Sequence, residues 1–196
     1  MRPRVALMVK EPHPGRVKTR LGCDIGMVHA AWWFRHQALG TIRRLRDPRW
    51  DIVLAVSPDH EGLLSRVWPA DLIKIPQGHG DLGARMTRVL RASAPHPTCV
   101  IGADIPGLQK CHIRQAFAGL GSYSGVIGPA TDGGYWLIGM RHPAQQPSGF
   151  LTSVRWSTRW AREDTLNSAK DMNWAELETL SDVDDLTDLR RLSGRG

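Results

Sequence analysis

Short apolar runs alternate with amphipathic stretches along most of the chain. The apolar runs are bounded by polar or turn residues and continuous enough to predict buried strands of a parallel sheet. The predicted strands are Arg4–Val9, Asp51–Val56, Asp71–Ile75, Cys99–Ile101 and Gly125–Gly128. Between them, apolar residues recur at steps of three to four and predict helices packed against that sheet.

The clearest predicted helix is Met27–Arg46, which Asp47 and Pro48 end. Its core face consists of Val28, Ala31, Phe34, Ala38, Ile42 and Leu45. Further helices are predicted to carry Met86, Val89 and Leu90, to span Gln109–Leu120, and to run to Ala169 from a cap at Ser157 or Thr158.

A hairpin is predicted where Asp132-Gly-Gly134 separates two strands, so that Tyr135–Met140 runs antiparallel to the strand before it. The alternation of strands and helices predicts an α/β fold. We expect one domain over residues 1–196, a three-layer α/β/α sandwich with a mostly parallel sheet and one antiparallel strand.

Length and composition narrow the class of protein. The chain has 196 residues, 41% of them hydrophobic, which is ordinary for a globular protein. No apolar run approaches the roughly 18 residues of a membrane span, and Val5–Val9 is too short for a signal-peptide core. The three cysteines show no metal-binding spacing and are expected to be reduced thiols. We therefore expect a cytoplasmic protein.

The positive charge is concentrated in the first quarter of the sequence. The net charge is +7, and residues 1–50 hold 11 Lys or Arg against 3 Asp or Glu. Such a concentration favours an anionic partner. Two kinds of anionic partner fit this charge, nucleic acid and a phosphorylated small molecule. Nucleic acid is the less favoured, because the sequence shows none of the familiar nucleic-acid-binding signatures.

The first loop has the composition of a phosphate-binding loop. It follows the first strand, and Pro12, Pro14 and Gly15 exclude a helix there. Its cations are Lys10, Arg16, Lys18 and Arg20. Backbone amides around Gly15 and these side chains are suited to an anionic group, although a solvated basic loop is the plain alternative.

A second stretch, Pro76–Met86, holds three glycines in a short loop that leads into a helix, which allows a ligand to approach the backbone closely. Gln77 offers a donor and an acceptor, as the edge of a nucleobase requires. Asp81 is expected to cap the helix rather than to take part in catalysis. Arg85 either reaches a phosphate or faces solvent.

Three acidic positions suggest a metal site. Asp104 follows the central strand, where open α/β sheets place ligand-binding groups; a turn aspartate is the alternative. Asp182 and Asp184 lie in a late extended segment, and we expect only one of them to share a face with Asp104. Asp132 either belongs to an ordinary hairpin turn or lines a sugar or acceptor pocket. Trp156 is either a pocket wall or core.

Five stretches together resemble the bacterial and archaeal family of nucleotide-diphospho-sugar transferases with a GT-A fold, often labelled glycosyltransferases of arsenosugar biosynthesis. The family looks related to the nucleotidyltransferases of molybdopterin and deazaflavin cofactor synthesis. The stretches are Lys10–Leu21, Gln77–Met86, Ile101–Leu108, Gly128–Gly139 and Trp156–Thr158.

The resemblance implies roles at matching positions. Lys10, Lys18 and Arg20 would bind nucleotide phosphates, and Gln77 and Gly80 would meet the base. Asp104 would bind the divalent metal, Mg²⁺ or Mn²⁺, with Asp184 as the second ligand.

Taken together, these expectations describe a metal-dependent glycosyltransferase that uses a nucleotide-diphospho-sugar donor and a small-molecule acceptor. Lys18 and Arg20 would assist the departure of the diphosphate, and Asp132 would be the general base in an inverting reaction. The alternative is a nucleotidyltransferase that transfers NMP from an NTP to a phosphorylated acceptor. A third possibility is a non-catalytic nucleotide- or nucleic-acid-binding protein.

Overall fold

The fold is built on one seven-stranded sheet, as a computed structural model describing residues 1–193 shows. The last three residues of the predicted domain lie outside the described part. The strands are β1 (Arg4–Lys10), β2 (Asp51–Ser57), β3 (Ile73–Pro76), β4 (Thr98–Gly102), β5 (Gly125–Pro129), β6 (Tyr135–Met140) and β7 (Trp174–Glu176). Their order across the sheet is β3-β2-β1-β4-β6-β5-β7.

Strand β6 is the reversed strand, antiparallel to both neighbours, and the other pairings are parallel. The helices are α1 (Thr19–Ile25), α2 (Met27–Leu45), α3 (Asp59–Leu64), α4 (Leu82–Ser93), α5 (Lys110–Ser122), α6 (Ala161–Asn167) and α7 (Leu186–Ser193). The predicted mostly parallel α/β architecture is therefore confirmed.

Apolar side chains pack on both faces of the sheet, because consecutive residues of a strand point to opposite faces. In β1, Leu7 belongs to one buried cluster and Ala6 to the other. Helices α2 and α5 cover the first face, with Phe34 and Ile113 among the buried contacts. Helix α4 covers the second face through Met86, Val89 and Leu90, which completes the three layers.

Two short elements, one helix start and one core position differ from the prediction. Val28, predicted on the core face of α2, is 60% exposed. Helix α1 follows the Pro/Gly loop directly, and β7 adds an edge strand that no apolar run announces. The helix predicted to start from a cap at Ser157 or Thr158 begins at Ala161 instead. Ser157 has a left-handed φ of 59°, and the Thr158 hydroxyl donates to the Arg155 carbonyl within a turn.

Within residues 1–193, no helix combines the length and the apolar character that crossing a bilayer would need. The cysteines in this range form no disulfides; Cys99 is buried, and burial raises the pKa of its thiol.

Candidate functional site

A cleft of about 630 Å³ opens at the carboxyl ends of β1 and β4. The loops that leave these strands, the β5–β6 hairpin and the segment before α7 form its walls. This is the edge at which parallel strands present their loops, and therefore the expected place for a ligand.

Asp104 is fixed in the cleft by its two neighbours. Strand β4 ends at Gly102, and Ala103 and Ile105 are both 2% exposed. Because the flanking side chains are anchored in the core, the carboxylate between them turns to the cleft, which it lines. The position predicted for Asp104 is therefore the one observed.

The late acidic segment reaches the same place by extending the edge of the sheet. Beyond β7, the Leu177 amide donates to the Ile127 carbonyl at 2.9 Å, and the Leu180 amide donates to the Pro129 carbonyl at 3.1 Å. The chain then anchors through Val183, which is 1% exposed. These contacts bring Asp182 and Asp184 into the lining of the cleft.

Asp104, Asp182 and Asp184 form one cluster, in which an oxygen of each lies within 4.8 Å of the others. The expectation that only one late aspartate shares a face with Asp104 is wrong. Residues two apart in an extended segment point to the same side, and Val183 between them points into the core. Asp182 thus joins the predicted pair Asp104 and Asp184.

Lys18 lies against this cluster. Its Nζ is 2.6 Å from Asp104 Oδ2 and 2.7 Å from Asp184 Oδ1, and its side chain is only 8% exposed. Burial by itself lowers the pKa of Lys18, but the two carboxylates outweigh it and raise the pKa. The backbone of Lys18 is left-handed, with φ 46° and ψ 47°, a conformation that costs about 1–2 kcal/mol for a residue with a side chain.

The crowding of the three carboxylates is reflected in the pKa of Asp182. Burial and repulsion from Asp184 and Asp104 raise its pKa to about 6, against a smaller opposing effect of Lys18. Removing this repulsion requires either a proton or another positive charge.

The donor set of the cluster fits a hard divalent cation. Carboxylate oxygens are the ligands that Mg²⁺ and Mn²⁺ prefer, and the three carboxylates are close enough to share one ion. Lys18 alone, with one charge, does not balance three carboxylates.

The residues predicted to bind the nucleotide, by its phosphates or its base, are only partly brought together. Lys10, Arg20 and Arg85 line the cleft with Lys18, whereas Gly15 and Gly80 are not among its lining residues. Gly15 has a φ of 76°, so its turn favours glycine without any ligand. Arg85 Nε donates to the Gly80 carbonyl at 3.0 Å, which ties the second loop to the cleft wall.

Gln77 is 4% exposed and stands at the inner wall of the cleft. Its Nε2 donates to the carbonyls of Val9 at 3.1 Å and Ala55 at 2.7 Å. These bonds use both amide hydrogens, so the side chain can offer a base only its carbonyl oxygen. Asp81 caps α4 by accepting from the Ala84 amide, as predicted.

Asp132 combines both of its predicted descriptions. It belongs to the β5–β6 hairpin tip, where Oδ1 accepts a hydrogen bond from the Gly134 amide at 2.9 Å, and it also lines the cleft. Its second oxygen is the one free of that turn bond.

The aromatic wall was not predicted as a unit. Tyr135 and Trp156 meet edge to face at a centroid distance of 6.4 Å, and both line the cleft beside Met86. The Trp156 Nε1 is buried without a hydrogen-bond partner among the described residues. Aromatic residues after a Gly-Gly turn and near a Ser-Thr pair were the only signals in the sequence.

Comparison with known proteins identifies a family for this chain and several solved structures of similar fold. Residues 41–158 match the family described as "Uncharacterized protein conserved in bacteria (DUF2064)". No curated protein matches the sequence. A crystal structure from Desulfovibrio desulfuricans, described as a "putative nucleotide-diphospho-sugar transferase", is 27% identical with a TM-score of 0.85, covering 98% of this chain and 87% of that one.

Two more distant structures share the fold. Rv0371c of Mycobacterium tuberculosis, in complex with manganese, is 15% identical with a TM-score of 0.57, covering 97% of each chain. The 4-diphosphocytidyl-2C-methyl-D-erythritol synthase of Anaerococcus prevotii is 10% identical with a TM-score of 0.61, covering 99% of this chain and 96% of that one. The expected fold and the expected resemblance are confirmed.

Proposed function

The chain belongs to the DUF2064 family, and from this membership, its fold and its cleft we propose that it is a metal-dependent glycosyltransferase using a nucleotide-diphospho-sugar donor. The observation that carries the proposal is the cluster of Asp104, Asp182 and Asp184 beside the basic loop after β1. A bound diphosphate is stabilised by positive charge. At this edge of the sheet, a metal ion on the aspartates would supply charge on one side and the cations of the basic loop would supply it on the other.

The three aspartates would hold Mg²⁺ or Mn²⁺. When bound, such an ion neutralises the charge that develops on a departing diphosphate. The manganese complex of Rv0371c supports a metal in this fold, without choosing between the two ions for this chain.

The chain's own cations would bind the phosphate oxygens. Lys10, Lys18, Arg20 and Arg85 all line the cleft. Charge-assisted hydrogen bonds from Lys and Arg to phosphate are stronger than neutral ones, so these side chains would orient the donor and hold the leaving group. Gln77 would accept a hydrogen bond from the base.

Asp132 would act from the hairpin wall. Its turn bond to the Gly134 amide fixes the carboxylate group, and its free oxygen would take the proton of the acceptor hydroxyl as that hydroxyl attacks the sugar. This role applies to an inverting reaction. The acceptor would be a small molecule, bound on the side of Tyr135 and Trp156.

A nucleotidyltransferase is the second candidate. Five cationic side chains line the cleft, namely Lys10, Arg16, Lys18, Arg20 and Arg85. That is ample charge for a triphosphate, which carries more negative charge than a nucleotide sugar. A phosphorylated acceptor would then attack the α-phosphorus and release pyrophosphate.

Product analysis tests both candidate functions and distinguishes the glycosyltransferase from the nucleotidyltransferase. The full-length protein is screened by thermal shift against NTPs and NDP-sugars with and without Mn²⁺, and the stabilising compounds are assayed for products. Free NDP from an NDP-sugar is expected; pyrophosphate from an NTP would favour the alternative. Release of neither product, or the same release by Asp104→Asn, would reject catalysis at this cleft.

A further inference from the structure

We propose that Lys18 is an internal counter-ion that must leave the acidic cluster before a divalent metal can bind tightly. The metal and the nucleotide therefore bind cooperatively, each strengthening the other. The inference rests on the proposed function only in taking nucleotide phosphates as the groups that receive Lys18.

The contacts of Lys18 place its charge where a metal would compete with it. Its ammonium lies 2.6 Å from Asp104 and 2.7 Å from Asp184, two of the three members of the cluster. Arg20 approaches Asp184 only at 3.4 Å, with a side chain 72% exposed. Of these two cations, Lys18 alone is both inside the cluster and shielded from water.

Two positive charges cannot share this space without a cost. Solvent screens the repulsion between exposed charges, but it screens buried groups much less. A metal bound by Asp104 and Asp184 would therefore repel the Lys18 ammonium and take its hydrogen-bond acceptors. Metal binding without nucleotide is weakened by this competition.

The nucleotide supplies what Lys18 loses. Lys18 lines the same cleft as Lys10 and Arg85, so a phosphate group in that cleft offers its ammonium new anionic acceptors. Its backbone, at φ 46° just before helix α1, has a conformation that residues with a side chain rarely adopt. Once phosphate takes the ammonium, the carboxylates are free for the metal, and the coupling is reciprocal.

The direct test measures Mn²⁺ binding to the metal-free, full-length protein without nucleotide, by electron paramagnetic resonance of free Mn²⁺. Lys18→Met is expected to bind Mn²⁺ at least about 10-fold more tightly than the wild type, a coupling of ordinary size between sites. Lys18→Gln, which removes the charge but keeps a hydrogen-bond donor, is expected to give the same result and serves if Lys18→Met does not fold.

Two matched variants isolate the position of the charge. Lys18→Arg keeps a cation in the cluster, so its Mn²⁺ affinity is expected to stay as weak as that of the wild type. Arg16→Met removes the same unit of charge from the cleft lining, but Arg16 pairs with Glu61, so its Mn²⁺ affinity is expected to change by less than about 3-fold.

A thermal readout measures the coupling. In the wild type, Mn²⁺ and a nucleoside diphosphate (ADP, GDP, UDP or CDP in turn) together are expected to raise Tm by more than the sum of their separate effects. In Lys18→Met this excess is expected to shrink, while the shift with Mn²⁺ alone grows.

An Mn²⁺ affinity of Lys18→Met and Lys18→Gln equal to or weaker than that of the wild type overturns the inference, because it would mean that Lys18 organises the cluster rather than competing for it. This Mn²⁺ measurement contains no nucleotide, so its outcome can be separated from that of the transfer assay. Tightened Mn²⁺ binding without any transfer product would reject the glycosyltransferase and keep the counter-ion, whereas transfer with unchanged Mn²⁺ binding would do the reverse.

Discussion

Arg46 and Asp71 pair at 2.6 Å on the surface, and Lys18 pairs with Asp104 at the same distance inside the cleft. The side chains of the surface pair are 44% and 60% exposed, whereas Lys18 is 8% exposed. Exposed pairs contribute little because water screens them. Equal distances therefore describe two different kinds of interaction.

The local charge balance also differs between these two places. At the surface, one guanidinium meets one carboxylate through two hydrogen bonds of 2.6 and 2.9 Å, and the charges cancel. In the cleft, three carboxylates face Lys18 and the looser Arg20. The surface pair is complete, while the cluster of three aspartates keeps a negative excess over Lys18 and Arg20 that a further cation would relieve.

Asp104→Asn should have the largest effect, a loss of transfer activity. Asp104→Asn keeps the shape but loses the charge that Asp104 would present to the proposed metal. Changes that only touch the neighbours of metal ligands cost 10–100-fold, so we expect transfer to fall at least about 100-fold, measured as NDP release from an NDP-sugar. Asp71→Asn is the control and should leave transfer unchanged; equal losses in both variants would remove the distinction between the two places.

Asp182→Asn should stabilise the metal-free protein in a pH-dependent way. The pKa of Asp182 is raised to about 6 from 3.8, so its carboxylate destabilises the fold above pH 6 and not below about pH 4. After allowance for screening of a partly exposed group, we expect roughly 1 kcal/mol, or about 2–4 °C in Tm at pH 7.5.

Thermal melts of both proteins from pH 4 to 8 check this sign. The two Tm values should converge at pH 4 and separate as the pH rises through 6. The exposed Asp171→Asn should show no such separation, and a lower Tm for Asp182→Asn at pH 7.5 would contradict the prediction.

Arg20→Met should have a smaller, salt-dependent effect. Its guanidinium is mostly exposed and 3.4 Å from Asp184, so it resembles the surface pair although it lines the cleft. We expect the KM for the donor to rise about 3–10-fold at low salt and the difference to shrink near 0.5 M salt, as steady-state kinetics would show. A difference that is unchanged by salt would place Arg20 with Lys18 instead.

The smallest effect is expected from Arg46→Met. Breaking this exposed pair should change the free energy of unfolding by less than about 1 kcal/mol, measured by urea denaturation, and leave transfer unaffected. A larger loss would show that the surface pair is not the weak reference that its exposure suggests.

Much of the fold was predictable because its inner strands are continuous apolar runs. Cys99–Ile101 and Arg4–Val9 needed only local pattern, and the Asp-Gly-Gly turn announced the reversed strand. The edge strand Trp174–Glu176 has three residues and no apolar run, and helix α1 begins just beyond a loop whose prolines and glycine predict irregular structure. Such elements depend on tertiary contacts.

The site was predictable one residue at a time, but its assembly was not. Asp104 follows from its place after a buried strand. The contact of Lys18 with Asp184 joins residues 166 positions apart, and nothing local encodes it. Asp182 was underestimated, although residues two apart in an extended segment point to the same side. Only the direction of that side is tertiary information, set by the buried Val183 and by the extension of the sheet beyond β7.

The direction of the reversed strand β6 determines which wall of the cleft the β5–β6 hairpin forms. Because it runs against β4 and β5, its beginning and the hairpin tip lie at the edge where the parallel strands end. That tip is a short turn, closed by the Gly134 carbonyl accepting from the Ala130 amide. Insertions or substitutions there can reshape the hairpin wall of the cleft without touching β1, so under the proposed function the acceptor could change while the residues proposed to bind the donor stay the same.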